Sequence, residues 1–360
     1  MRDANRLFNP FMIRNNKIFL LFTLLWLANT KGFGQVSWEK VSEEMIFTQA
    51  PFQQCHASTL VEVRPGKLLA AWFGGSSESQ PDVAIWLSAY EQGQWTAPIP
   101  VADGRINDTL RYATWNPVLF KSRSGTLFLF YKVGPSPREW WGMVRTSSDE
   151  GKTWTAARPL PKGILGPIKN KPIELADGTL LAPSSVETKD DHWYVRMESS
   201  PDQGQTWQAT GVDTASAFDV IQPSILIHPN HRLQIVCRSK QGNLIQAWSS
   251  DNGKTWGKLT RLPVLNPNSG TDAVTLLQGG QLLIYNPDKP GKEWYNGRSV
   301  LKVAVSKDGQ NWKDVLGLEN GKTEEFSYPA VIQTQDQRVH ITYTYDRKAI
   351  KHVVLQAKRK

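Results

Sequence analysis

One phrase recurs six times along the chain: an apolar run, a tight turn, then a second apolar run. Its copies are STLVEVRPGKLLAAW, NPVLFKSRSGTLFLFY, KPIELADGTLLAPS, QPSILIHPNHRLQIVC, DAVTLLQGGQLLIYN and YPAVIQTQDQRVHITY. The turns centre on Gly66, Gly125, Gly178, His231, Gly280 and Gln337, at spacings of 59, 53, 53, 49 and 57 residues. Each copy alternates apolar and polar positions on both sides of its turn, the pattern of a β-hairpin. A unit of this kind cannot bury its apolar face alone, so the units must stack on one another.

A second phrase follows most copies. Ser147-Ser-Asp149-Glu-Gly151-Lys-Thr153-Trp154 is the fullest, and Ser200 to Trp207 and Ser249 to Trp256 match it. Ser306-Lys-Asp308-Gly309-Gln-Asn-Trp312 is shortened, and Ser88 to Trp95 is degenerate. An aspartate can fold back on backbone N–H groups, a glycine can take positive φ, and a tryptophan can cover the turn. The alternating ligands and closing glutamate of a calcium loop are missing, so the phrase reads as a structural turn. Units of about 50 residues built from short strands indicate an all-β, six-bladed propeller with Asp-box turns. Residues 37–48 and the Ile350–Gln356 segment are expected to complete the last blade and close the ring.

Residues 1–34 carry Arg2, Arg6, Arg14 and Lys17 ahead of an eleven-residue apolar run, Ile18 to Ala28, with Gly32 and Gly34 at cleavage-site spacing. This is the pattern of a secretory signal peptide, too short to span a bilayer, with residues 35–360 as the mature propeller. An uncleaved anchor is the alternative. Cleavage leaves 37 basic against 32 acidic residues, a mild excess that suits an acidic partner. The expected location is secreted or periplasmic, with no stable membrane insertion after cleavage. Cys55 and Cys237 are the two cysteines and lie in different repeats, so two buried free thiols are expected rather than a disulfide framework. No basic run interleaved with aromatics, nucleotide loop or zinc spacing is present. Nucleic acid is therefore not an expected partner, and no cofactor or metal is implied.

The phrase S-x-D-x-G-x-T-W is the Asp-box, or bacterial neuraminidase repeat. The chain resembles the sialidase superfamily across the mature sequence, and within it the BNR-repeat sialidase-like proteins. The resemblance implies a funnel at the propeller axis, three arginines gripping a sugar carboxylate, a tyrosine nucleophile with a glutamate partner, and an aspartate acid/base. Tyr328, in Ser327-Tyr-Pro-Ala-Val, falls at the tyrosine and Arg298 at the third arginine. Asp82, or Glu78, lies in the loop that carries the aspartate. His56 stands where the first arginine is expected and Gln222 where the glutamate is expected. Asn243-Leu-Ile-Gln-Ala-Trp-Ser lacks the second arginine, with Arg238 close by.

Aligning the repeats gives a candidate ring independently of that resemblance. Four copies open with a residue before proline (Asn116, Lys171, Gln222 and Tyr328), and two with a residue before alanine (His56 and Asp272). All six are polar or ionisable and are expected to converge on the axis. Arg238, Lys169 and Arg347 are further candidate cations, and a cluster of them would favour an anionic sugar. Three functions follow. A hydrolase of a terminal acidic sugar would use Asp82 or Glu78 as acid, Tyr328 as nucleophile or electrostatic stabiliser, and Arg298, Arg238 and Lys171 as anion clamp. A lyase at a uronate would use His56 or Tyr328 to abstract a proton. A non-catalytic glycan-binding propeller would keep only the funnel.

Overall fold

Turn chemistry fixes the hairpins from which the molecule is built. In the Ser147–Trp154 turn, Ser147 Oγ accepts from Gly151 N at 2.9 Å, while Asp149 accepts from Thr153 N at 2.9 Å and Thr153 Oγ1 at 2.6 Å. The Asp202 and Asp251 turns repeat these bonds. The threonine bonds, with those from backbone N–H and serine, hold all three carboxyls down at about 2. The turn glycines also bring successive blades together. A Cβ on Gly253 would lie 2.7 Å from Leu181 Cδ2, and one on Gly151 2.5 Å from Leu69 Cδ1, each a side chain of the preceding blade.

The computed structural model describes residues 36–359; the expected leader at 1–34 lies outside the described residues. The described chain forms six antiparallel sheets, here blades I to VI. The innermost strands are Gln54–Arg64, Ala113–Lys121, Ile173–Glu174, Val220–Ile227, Asp272–Thr275 and Phe326–Gln333. Each pairs with the strand that follows it in sequence, and the sheets continue outward from there. Val36–Met45 is the outermost strand of blade VI, paired with Ala349–Arg359, so the two ends of the described chain close the ring as expected. Apolar side chains fill the wedges between blades: Ala71 and Phe73 meet Trp115 and Leu129 between blades I and II, and Val236 meets Leu283 and Ala304 between IV and V. Cys55 and Cys237 are buried and free. No helix among the described residues is long and apolar enough to cross a membrane.

The inner strands of blades I, II, IV and VI share one irregularity. Their pairing skips between His56 and Thr59, Trp115 and Val118, Ile221 and Ser224, and Ser327 and Ala330. Inside each skip one residue is left-handed: Ala57 (φ 55), Asn116 (φ 35), Gln222 (φ 57) and Tyr328 (φ 53). Three of these precede proline, which ordinarily drives its neighbour to an extended conformation. Strain of this kind costs about 1–3 kcal/mol per residue and persists only where the surroundings enforce it. A bulge of this sort re-aims the side chain it carries.

Candidate active site

The bulges decide which ring residues are equivalent. Tyr328, Gln222 and Asn116 occupy the same left-handed position, and in blade I that position belongs to Ala57. His56 is therefore one residue off the register expected from the repeats. It is nevertheless buried against the tyrosine, with ring centroids 4.1 Å apart. Asn116 is buried at its bulge and does not line the pocket that holds Tyr328. Lys171 and Asp272 have no bulge. They pair with each other at 2.8 Å, past blade IV, whose Ser224 Oγ also donates to Asp272. Lys171 lines a separate recess with Lys121, Arg123 and Gln333, at the turn end of the inner strands. The six expected residues thus do not form one ring around one cavity.

Tyr328 lines a cavity of about 490 Å³. Three guanidinium groups line it too: Arg238, Arg298 and Arg347. Arg238 lies near the end of the second strand of blade IV (Leu233–Ser239). Its Nη1 donates to Tyr328 Oη at 2.6 Å and to Gln222 Oε1 at 3.3 Å, and its Nε to Asn268 Oδ1 at 2.9 Å. Arg298 precedes the third strand of blade V (Val300–Ser306) and donates to Glu325 at 3.1 Å and to the Asn268 carbonyl at 3.4 Å. Asn268, itself left-handed (φ 57), thus bridges the two arginines.

Arg347 arrives from an unexpected place. It is the second central residue of the β-turn Tyr345–Lys348, in the three-residue connection between Val339–Tyr345 and Ala349–Arg359. Asp346 and Arg347 both have positive φ (51 and 54), and Lys348 N donates to Tyr345 O at 3.0 Å, which is a type I′ turn. Such turns favour glycine and asparagine, so an arginine here is held at a cost. Its Nε donates to Glu325 at 2.9 Å, another N–H donates to Glu78, and its Nη2 lies 3.5 Å from His56 Nε2. Where the sequence has histidine in place of the first expected arginine, blade VI therefore supplies a guanidinium beside it.

Glu325, absent from the sequence candidates, is the acidic partner of two of the three arginines. Burial alone would raise its carboxyl, but Arg347 and Arg298 outweigh burial and hold it below the usual range. Burial, reinforced by Arg347, Arg298, Lys169 and Arg238, drives His56 well below its usual range, leaving a neutral imidazole at pH 7. Lys169 is fully buried beneath the tyrosine, its Nζ 5.8 Å from the ring centroid. Burial lowers it to about 7, with Asp272 opposing. Of the two loop carboxylates, Glu78 lines the cavity. Asp82 does not: its oxygens accept from Ser76 N at 2.8 Å and Ser76 Oγ at 2.9 Å, closing the loop that carries Glu78.

Trp193 and Trp294 flank the cavity. Arg238 lies 5.6 Å from the Trp193 ring, and Arg298 and Arg347 lie 5.0 and 4.9 Å from Trp294. Neither tryptophan, nor Asn268, was marked by the repeat alignment. All lie in or beside connections between strands, where the repeat varies most. The chemistry is a pocket rich in guanidinium, with one phenol, Tyr328, and two carboxylates, Glu78 and Glu293, in its lining.

Residues 66–341 match the model of the BNR repeat-like domain. The chain belongs to that family. The propeller also superimposes on solved structures at low identity. A protein of unknown function from Dyadobacter fermentans is 16% identical, with a TM-score of 0.70 over 89% of this chain and 100% of that one. A Hadza microbial sialidase is 18% identical, with a TM-score of 0.69 over 85% of this chain and 66% of the other. The intramolecular trans-sialidase of Ruminococcus gnavus, solved with oseltamivir carboxylate, is 13% identical, with a TM-score of 0.65 over 88% and 97%. These likenesses establish the sialidase-type fold. No curated protein sequence matches the chain.

Proposed function

We propose that this BNR-repeat protein is an exported, exo-acting glycoside hydrolase that removes a terminal sugar bearing a carboxylate. The observation that carries the reading is the convergence of Arg238, Arg298 and Arg347 on one cavity with Tyr328. Guanidinium groups pair carboxylates in a planar, bidentate manner that lysine cannot reproduce. Below the tyrosine, buried Lys169 and Asn170 bond to each other and to blades IV, V and VI, which supports a site closed on that side and entered by a chain end. The leader-like segment at 1–34 supports action outside the cytoplasm.

With the carboxylate on the arginines, the anomeric carbon would face the phenol. Arg238 already donates to Tyr328 Oη at 2.6 Å, so negative charge developing on that oxygen meets a fixed cation. Gln222 cannot take the phenol's proton, and its amide oxygen instead accepts from the same guanidinium. Tyr328 then acts as electrostatic stabiliser, or as a nucleophile whose Oη–carbon bond replaces the glycosidic bond while its proton passes to water in the cavity. Glu78 is ion-paired with Arg347; once the substrate carboxylate takes that guanidinium, Glu78 would pick up a proton from solvent and pass it to the leaving oxygen, and Asp82 fixes its loop.

A second reading, β-elimination at a uronate, draws on the neutral His56 beside Tyr328. The hydrolase reading is preferred because His56 is buried behind the tyrosine and does not line the cavity. The purified protein should release sugar from sialosides or other carboxylate-capped oligosaccharides without ultraviolet absorbance, and Tyr328→Phe should abolish release. Growth of the absorbance of a C4–C5 double bond would transfer the site to elimination. Binding without turnover would make it a lectin.

A further inference from the structure

Tyr328 performs its proposed role from a strained backbone. It is left-handed, precedes Pro329, and interrupts its strand. Two buried residues from other blades grip the bulge from either side. Lys169 Nζ, contributed by the segment leading into blade III, donates to Pro329 O at 2.5 Å. The Asp272 carboxylate, at the start of blade V, accepts from Val331 N at 2.9 Å. The same ammonium is tied to Asn170 Oδ1 at 2.8 Å and Thr271 O at 3.1 Å, so it is fixed from three directions. The ring above is wedged as tightly. His56 packs against it with the two rings tilted by 47°, while Gly270 leaves so little room that a Cβ there would lie 3.0 Å from Tyr328 Cδ2 and 3.1 Å from Lys169 Cε.

We propose that Lys169 is a positioning residue: with Asp272 it holds the Tyr328–Pro329 bulge, and through it keeps the phenol oxygen on Arg238. It acts through the tyrosine and does not touch substrate, although its sequence and charge alone make it a candidate anion ligand. Its donors are spent on Pro329, Thr271 and Asn170, and the tyrosine ring lies between it and the cavity. Removing the grip lets the bulge relax toward the extended form that proline favours in its neighbour. A displacement of about 1 Å of a reacting group can cost on the order of a hundredfold in rate. The inference rests on the hydrolase reading for its kinetic consequence, not for its geometric one.

The test is Lys169→Met, read by a crystal structure and by kinetics on a carboxylate-capped glycoside. Expected are a phenol oxygen withdrawn from Arg238, kcat lower by about a hundredfold, and KM nearly unchanged. A ring that stays on Arg238 in the K169M crystal overturns the proposal, as does a raised KM with kcat intact, which would make Lys169 a substrate contact. Should the wild type turn over no acidic glycoside, the hydrolase reading fails, and the crystal structure alone decides the positioning role. If K169M does not fold, Gly270→Ala pushes on the ring and on Lys169 Cε while keeping every buried charge. Its phenol oxygen should leave Arg238 too, and an unmoved ring in G270A counts equally against the proposal.

Discussion

Arg238→Met is the sharpest probe of the pocket. Arg298 and Arg347 share Glu325, and Arg347 also holds Glu78. Arg238 donates only to neutral groups: Tyr328 Oη, Gln222 Oε1 and Asn268 Oδ1. Glu187 acts on it through space without a hydrogen bond, so its N–H groups are the least committed to a carboxylate of the three and should contribute most to holding an anion. A charge-assisted hydrogen bond is worth about 1.5–3 kcal/mol, which corresponds to roughly tenfold to 150-fold in affinity. The stability cost should be smaller. Of the three acceptors left behind, Tyr328 and Asn268 border the cavity, where water can replace the guanidinium, while Gln222 is buried away from it, so the loss should lie toward the lower end of about 1–3 kcal/mol. The assay is calorimetric titration with free sialic acid and with a neutral sugar of similar size, paired with thermal melts. The acidic ligand should lose affinity by the stated factor and the neutral one should not. Equal affinity of R238M and wild type for the acidic ligand would refute the assignment of this cavity as an anion site.

Other expectations concern the same groups. Glu78→Gln should lower kcat at least tenfold if that carboxylate protonates the leaving oxygen, while Asp82→Asn should act more weakly and through loop order; kinetics with an activated leaving group, which needs no acid, should rescue E78Q. His56 and His340 are both depressed in the fold, His340 to about 3, chiefly by burial. The unfolded chain then binds more protons below its own histidine range near 6.5. Their stabilisation is complete above that value and is lost as pH falls toward the folded values, at about 1.4 kcal/mol per pH unit for each group. The melting temperature should drop between pH 6.5 and 5.5, and a flat curve would contradict the buried neutral state. Gly253→Ala should destabilise by about 2–4 kcal/mol, from left-handed strain and overpacking against Leu181. Urea melts would measure it, and a neutral effect would mean the turn does not pin the blades. Cys55 and Cys237, buried with thiols pushed up by desolvation, should react with a thiol reagent only after unfolding.

The propeller was legible because its turns are encoded locally. Ser, Asp, Gly and Thr sit at fixed offsets, and each offset corresponds to one hydrogen bond in the folded turn. The site was legible only in part, because its geometry is set by contacts between repeats. The bulge was visible as residue-plus-proline in three blades, but blade I has Ala57-Ser58 instead, which shifted His56 by one position. Lys171 and Asp272 looked like members of a ring because each opens its repeat. They neutralise one another across blades, a pairing no local spacing encodes. Arg347 was marked as a cation, but its neighbourhood to His56 depends on ring closure, which brings residues 291 apart in sequence within 3.5 Å. Glu325 gave no signal beyond an ordinary surface-like acid before a strand.

Ring closure has a consequence for how such a molecule is made. Val36–Met45 must wait for Ala349–Arg359 before it finds its partner, and Tyr328 and Arg347 leave the ribosome only after the strands of blades I to V. A nascent chain could complete several middle blades and still possess no pocket. Premature termination anywhere before the final hairpin should therefore yield an inert product, however much of it folds.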